Sequence, residues 1–117
     1  MVNNLPLAGT RILEFTHAVM GPSAGLVLAD LGAEVIRIEP APEGDHTRAL
    51  KGFGSGFHTY LNRNKKSLAV NLKTGEGRAI VEKLLVTADV LIENFGPGTA
   101  ERLGLGYDAV ATINPSL

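Results

Sequence analysis

Four short stretches hold the residue types that could do chemistry. The first is Thr16 to Pro22 (THAVMGP), where His17 precedes a glycine-proline pair. A helix starting there would turn its unpaired N–H groups toward a ligand's phosphate or carbonyl. His17 could then shuttle a proton or form a polar wall of a pocket. A plain strand-to-helix connection explains the same spacing. The second is Glu39, placed about where dinucleotide-binding domains hold a ribose hydroxyl; composition alone leaves it a surface carboxylate. The third is the basic set Arg63, Lys65, Lys66, Lys73 and Arg78. A phosphate at Lys73-Thr74-Gly75 would meet an ammonium and the positive end of a helix, although a solvated turn on either side of a strand accounts for these charges as well. The fourth is Asn94 to Arg102 (NFGPGTAER). Its glycines allow close backbone approach, Phe95 offers a flat apolar surface, and Arg102 could reach a phosphate or stack on a ring. A proline-glycine turn before a capped helix would look the same. Together the four suit a phosphate-rich, adenine-bearing ligand without identifying it.

Several chemistries are missing. The chain has no cysteine, which removes disulfides, thiolate metal sites and cysteine nucleophiles and fits a reducing compartment. His17, His46 and His58 lack ligand spacing, so no metal is expected. The glycines at positions 21 and 25 do not make a G-x-G-x-x-G fingerprint, which speaks against a nicotinamide-dependent dehydrogenase. A net charge of −1 over 117 residues gives no footprint for nucleic acid. No basic segment leads an apolar run at the N-terminus, and no apolar stretch is long enough to cross a bilayer. The expectation is a cytoplasmic protein without membrane contact.

The elements that must position these residues alternate. Arg11–Thr16 and Glu34–Glu39 have the length and branched content of strands. Between them Ala24, Val27, Leu28 and Leu31 fall on one face of a predicted helix, with Gly32 placed to close it in a left-handed turn. Residues 40–64 read as a long loop with a short helix near Gly56–Leu61. Ser67–Leu72 predicts a third strand. Thr74 can cap a helix whose buried stripe would be Ile80, Val81, Leu84, Leu85 and Ala88. Val90–Ile92 predicts a fully buried fourth strand ending at Glu93-Asn94. Thr99 would cap a helix over Ala100–Leu103, closed by Gly104, and Tyr107–Ile113 a further short one. This alternation predicts an α/β fold, a Rossmann-like doubly wound and mainly parallel sheet with right-handed crossovers. The chain stops at Asn114-Pro115-Ser116-Leu117, where such a fold would deliver another strand, and so reads as a fragment.

The order of motifs resembles one family over nearly the whole chain from Leu7 onward. Pro6-Leu7-x-Gly9 leads into RILEFTHAVMGP, then LADLGAEVIRIEP, GD-x-TR, NRNKKSLAVNLKTGEG, ADVLIENFGPGTAERLGLGY and INPSL. These are similar to the opening of family III CoA-transferases, the CaiB/BaiF type that includes formyl-CoA and carnitine CoA-transferases. The resemblance implies an enzyme that moves coenzyme A from an acyl-CoA donor to a small carboxylate acceptor through anhydride and thioester intermediates on an aspartate. It implies that residues 1–117 are part of the N-terminal CoA-binding domain and that the complete protein is an interlocked homodimer. Carried over by position, the CoA contacts would be Val19 and Met20, then Val70, Asn71, Leu72 and Lys73, then Asn94, Phe95 and Gly96, and finally Arg102.

Two departures stand out. Pro40 occupies a position where some members carry a basic residue for the CoA phosphates, so Lys73 and Arg102 would carry more of that charge, helped by Arg37 or Arg48. Val19 stands where formyl-CoA-specific members often have glutamine, an argument against that donor. Asp30, Asp45, Asp89 and Asp108 do not match the nucleophile's motif, so no catalytic residue is assigned and the segment alone is expected to be inactive. An α-methylacyl-CoA racemase, with a similar N-terminal portion, is the main alternative; a non-catalytic CoA-binding module or one subunit of a split enzyme is the other.

Overall fold

The computed structural model describes residues 4–117. Its elements are β1 (Arg11–Phe15), α1 (Met20–Asp30), β2 (Glu34–Pro40), α2 (Phe57–Leu61), β3 (Lys66–Val70), α3 (Gly75–Leu85), β4 (Val90–Glu93), α4 (Thr99–Arg102) and α5 (Tyr107–Ile113). Within the long loop before α2, His46–Ala49 and Gly52–Gly56 form 3₁₀ turns. All four strands pair in parallel in the order β3-β2-β1-β4. Ile12 stands opposite Val35 and Val90, and Leu13 opposite Ile36 and Leu91.

The two-residue period of the strands divides the core between two faces. Leu13, Phe15, Ile38 and Val70 pack with Val81 and Leu85 of α3, Ala100 of α4 and Val110 of α5. On the opposite face Ile12 and Val35 pack with Ala29 at the end of α1 and with Ala33. Helices thus cover both faces, as the alternating pattern predicts. Gly32 turns the chain out of α1 at φ +104°, a conformation costly to any residue with a Cβ. Thr74 Oγ1 accepts the Gly77 N–H at 3.1 Å and caps α3.

Four local expectations are corrected. Helix α1 turns a different face to the sheet: Ala24, Val27 and Leu31 are exposed and Leu28 is half-buried, while Gly21, Gly25, Leu26 and Ala29 are buried. The reason is steric. A Cβ at Gly25 would stand 1.8 Å from Glu14 Oε2, and one at Gly21 would stand 2.4 Å from Thr16 Cβ. Only glycine fits over those side chains, so the helix rolls its bare stripe inward. In α3, Ile80 is exposed, and the buried stripe narrows to Val81 and Leu85 with Leu84 partly covered, Ala88 being buried just beyond the helix's end. Strand β4 is an edge, not a fully buried strand; Val90 is 38% exposed and Leu91 and Ile92 are half-buried. Finally, Gly98 rather than Thr99 is the N-cap of α4, at φ +76°, and Thr99 is its first helical residue.

Candidate functional site

A cleft of about 570 Å³ opens beyond the carboxyl ends of β1, β2 and β3. Phe15, Ile38, Val70, Leu72, Phe95 and Leu103 give it an apolar lining, and Thr16, His17, Asn71, Lys73, Asp45 and His46 supply polar groups. This is where the general rule for open α/β sheets puts a ligand. Phe95 stacks on the His17 imidazole with ring centroids 6.2 Å apart and planes at 21°.

Asn94 joins the connection after β1 to the one after β4. Its Oδ1 accepts the His17 N–H and its Nδ2 donates to His17 O, both at 3.0 Å. The pair holds a bent backbone, because Ala18, the next residue, sits at φ +59°, a region that costs a non-glycine residue about 1–2 kcal/mol.

The structure brings together part of the residue set expected to contact a ligand. Val70, Asn71, Leu72, Lys73 and Phe95 line the cleft, as does His17. Asn94 and Gly96 flank Phe95 in the same loop. Val19 and Met20 are exposed around the start of α1 and do not line the cleft. Arg102 also stands outside it, donating to Thr99 Oγ1 at 2.7 Å.

The basic set disperses. Arg63 pairs with Asp30 at 2.7 Å, Lys66 pairs with Glu34, and Arg78 donates to Leu72 O at 3.1 Å. Lys73 alone of the five lines the cleft. Lys65 is carried inward, its side chain 1% exposed, with Nζ 2.8 Å from Glu14 Oε2 and donating to Pro22 O at 2.8 Å. Burial pushes its pKa down and Glu14 opposes that push.

Beside this ammonium lies Arg37, also 1% exposed, paired with Asp45 and 3.6 Å from Glu14 Oε1. Arg37 Nη2 also donates to Thr16 O at 3.4 Å. Arg37 therefore cannot help a phosphate in the cleft, as Pro40 had suggested it would; its charge is spent on two carboxylates under the loops. Burial works against ionisation of Asp45, but the Thr47 hydroxyl and amide, with Arg37, hold its carboxyl below the usual range.

Glu39 is neither a surface carboxylate nor free for a ribose. It is buried and accepts two hydrogen bonds from Arg48, both at 2.7 Å, with others from Asp45 N and Ser67 Oγ. The Arg48 guanidinium, against the opposing effect of burial, holds its pKa down at about 2. Arg48 is committed to Glu39 in the same way.

Sequence reasoning passed over Asp45 and His46, which both line the cleft. A local signal existed: Asp45 accepts the Thr47 N–H at 2.7 Å, the Asx turn that an Asp-x-Thr sequence favours. No such signal marks the pairing of Glu14 with Lys65, 51 residues apart. Among the described residues, no three His, Cys, Asp or Glu side chains form a group able to hold a metal ion, and no helix is long and apolar enough to cross a membrane.

A parallel sheet wrapped by helices, with a cleft at its carboxyl edge, defines a Rossmann-like α/β domain. The particular family follows from sequence: residues 7–117 match CoA-transferase family III, and the chain belongs to that family. It is 44% identical to the formyl-CoA:oxalate CoA-transferase of Streptomyces avermitilis, over 95% of this chain and 28% of that protein. It is 42% identical to the human succinyl-CoA:glutarate CoA-transferase, over 99% of this chain and 28% of that protein. Among solved structures, a CaiB/BaiF family protein of Brucella suis superposes with a TM-score of 0.86 at 39% identity, over 95% of this chain and 31% of that one. The chain thus spans about three-tenths of the length of these relatives.

Proposed function

We propose that this chain is the N-terminal CoA-binding domain of an enzyme that transfers coenzyme A from an acyl-CoA donor to a small carboxylate. The observation that carries the reading is a coincidence of position. Val70 to Lys73 and Phe95, which the family resemblance assigns to CoA, line the same cleft at the sheet's carboxyl edge. Its apolar lining suits the adenine and pantetheine portions, and Lys73 suits a phosphate. Asn94 would act by holding His17 and Phe95 in place, with Gly96 leaving room beside them. Val19, Met20 and Arg102 would meet the remainder of the ligand outside the cleft.

The two carboxylates in the lining do not offer a nucleophile. Glu39 is tied to Arg48, and Asp45 to Arg37 and Thr47. The family resemblance puts the aspartate that forms the anhydride in the remainder of the enzyme, so that this domain would bind and orient CoA without turning it over. The dimer of interlocked subunits and the cytoplasmic setting belong to the same proposal. The relatives' acceptors, oxalate and glutarate, make small dicarboxylates the first to try, and the apolar Val19-Met20 pair turns the donor preference away from formyl-CoA.

The test uses the complete enzyme with acetyl-CoA or succinyl-CoA and oxalate or glutarate, following acyl-CoA species by mass. A new acyl-CoA matched to the acceptor is expected. Exchange of an α-proton on a 2-methylacyl-CoA without transfer would identify a racemase instead. Lys73→Ala should weaken CoA binding by about tenfold or more, since charge-assisted contacts contribute about 1.5–3 kcal/mol. An unchanged affinity in calorimetry would remove Lys73 from the site.

A further inference from the structure

A ligand with three phosphoryl groups needs more positive charge than the cleft's single lysine supplies. Among the described residues Arg11 and Lys66 pair with Glu34, Arg63 with Asp30, and Arg48 with Glu39. Arg37 and Lys65 are buried against Asp45 and Glu14. Lys73 is left as the one Lys or Arg in the lining. On the turn after β2, however, His46 lines the same cleft with its side chain 63% exposed. The lining there also includes Pro40, which has no charge to offer.

We propose that His46, as an imidazolium, joins Lys73 as the second cation inside the cleft for the phosphates of CoA's nucleotide half, Arg102 standing outside it, so its contribution to binding grows as pH falls. Imidazole is the side chain whose charge changes between about pH 5 and 8. Its charged surroundings favour that role. From the end of β2 and its own turn, Asp45 Oδ1 lies 3.5 Å from His46 Nδ1, while Arg37 and Thr47 already occupy the Asp45 oxygens. Glu39 is neutralised by Arg48, and Glu43 is exposed on the preceding turn. From the β3–α3 connection comes Lys73, from the β1–α1 connection His17, and from α2, packed against the His46 turn, His58, whose pKa burial lowers. With both lining carboxylates compensated, protonating His46 adds a full positive charge to a cleft that otherwise relies on Lys73.

This inference rests on the CoA-binding reading, and its test separates the two. Calorimetry on the complete enzyme, wild type and His46→Gln, would use CoA and adenosine 3′,5′-bisphosphate at pH 5.5 and 8.5. The ligand's own phosphate ionisation near pH 6 changes with pH too, so the readout is the ratio of wild-type to variant affinity at each pH, in which that effect cancels. For both ligands the ratio should be close to one at pH 8.5 and about tenfold at pH 5.5. His46→Arg should bind tightly at both, and His17→Gln should keep the wild-type pH trend whatever its affinity. A ratio that stays flat while wild type binds CoA overturns the role of His46 and leaves the CoA reading standing. A pH-dependent ratio with CoA but not with the bisphosphate overturns the assignment to the nucleotide half. No wild-type binding at either pH overturns both.

Discussion

Replacing Arg37 with methionine removes the cation that joins two carboxylates beneath the cleft. Arg37 is 1% exposed, pairs with Asp45, lies 3.6 Å from Glu14 and donates to the Thr16 carbonyl. Methionine roughly keeps the packed stem, so the loss is mainly electrostatic. Breaking a buried pair by deleting one partner typically costs about 3–5 kcal/mol, because the other charge stays behind without compensation. Two features set the value toward the lower end. Lys65 still neutralises Glu14, and Arg37 Nε and Nη1 have no hydrogen-bond partner among the described residues, so its own desolvation was incompletely offset. A cost of about 3 kcal/mol is expected at pH 7, read from the urea midpoint of the complete enzyme's transition that reports this domain. The deficit should shrink as pH falls and the abandoned carboxylate takes up a proton. Adding Asp45→Asn to Arg37→Met should cost less than the two single changes summed, a coupling of about 1–3 kcal/mol. A single-variant loss within about 0.5 kcal/mol, as for an ordinary surface position, or strict additivity in the double variant, would refute the claim that these charges depend on one another.

Two further outcomes follow from the geometry. Glu39 has a folded-state pKa of about 2 against an ordinary 4.5, so its stabilising effect is fully present above the ordinary value and lost as pH falls through the lower one. Wild type should therefore be more stable than Arg48→Leu near neutrality, with the gap closing between about pH 4.5 and 2 in an acid-unfolding series; a gap independent of pH would contradict this. Gly25→Ala would place a Cβ 1.8 Å from Glu14 Oε2. It should lower stability by about 1–3 kcal/mol through overpacking, whereas Val27→Ala on the outward face of α1 should change this domain's stability by less than about 0.5 kcal/mol, both read as shifts in the same urea transition.

Local chemistry made much of this fold legible in the sequence. Branched runs marked β1 and β2, Gly32 marked the left-handed exit from α1, and Thr74 marked the start of α3. These are decisions a chain makes within a few residues, through side-chain branching, caps and φ preference. The cleft was legible only in part. Val70 to Lys73 and Phe95 could be matched to a family motif, but their meeting in one cavity depends on the sheet order that sets β3 and β4 at opposite edges.

Charge partners and buried faces were decided by the tertiary structure. A run of Arg63, Lys65 and Lys66 looks like one basic patch, yet its members pair with Asp30, Glu14 and Glu34. Glu14 and Lys65 meet across 51 residues because a parallel sheet brings distant strand ends together. The face of α1 was hidden for a related reason: hydrophobic periodicity registers what water avoids, and a glycine stripe registers nothing. Its inward turn follows from Glu14 of β1 and Thr16 just beyond it, where a side chain on the helix would collide. The sequence alone thus determined the alternating elements, the cap of α3, the glycine exit from α1 and the family. Which charges face a ligand and which are buried beneath it depends on long-range pairing and close contact, and these exist only once the chain has folded.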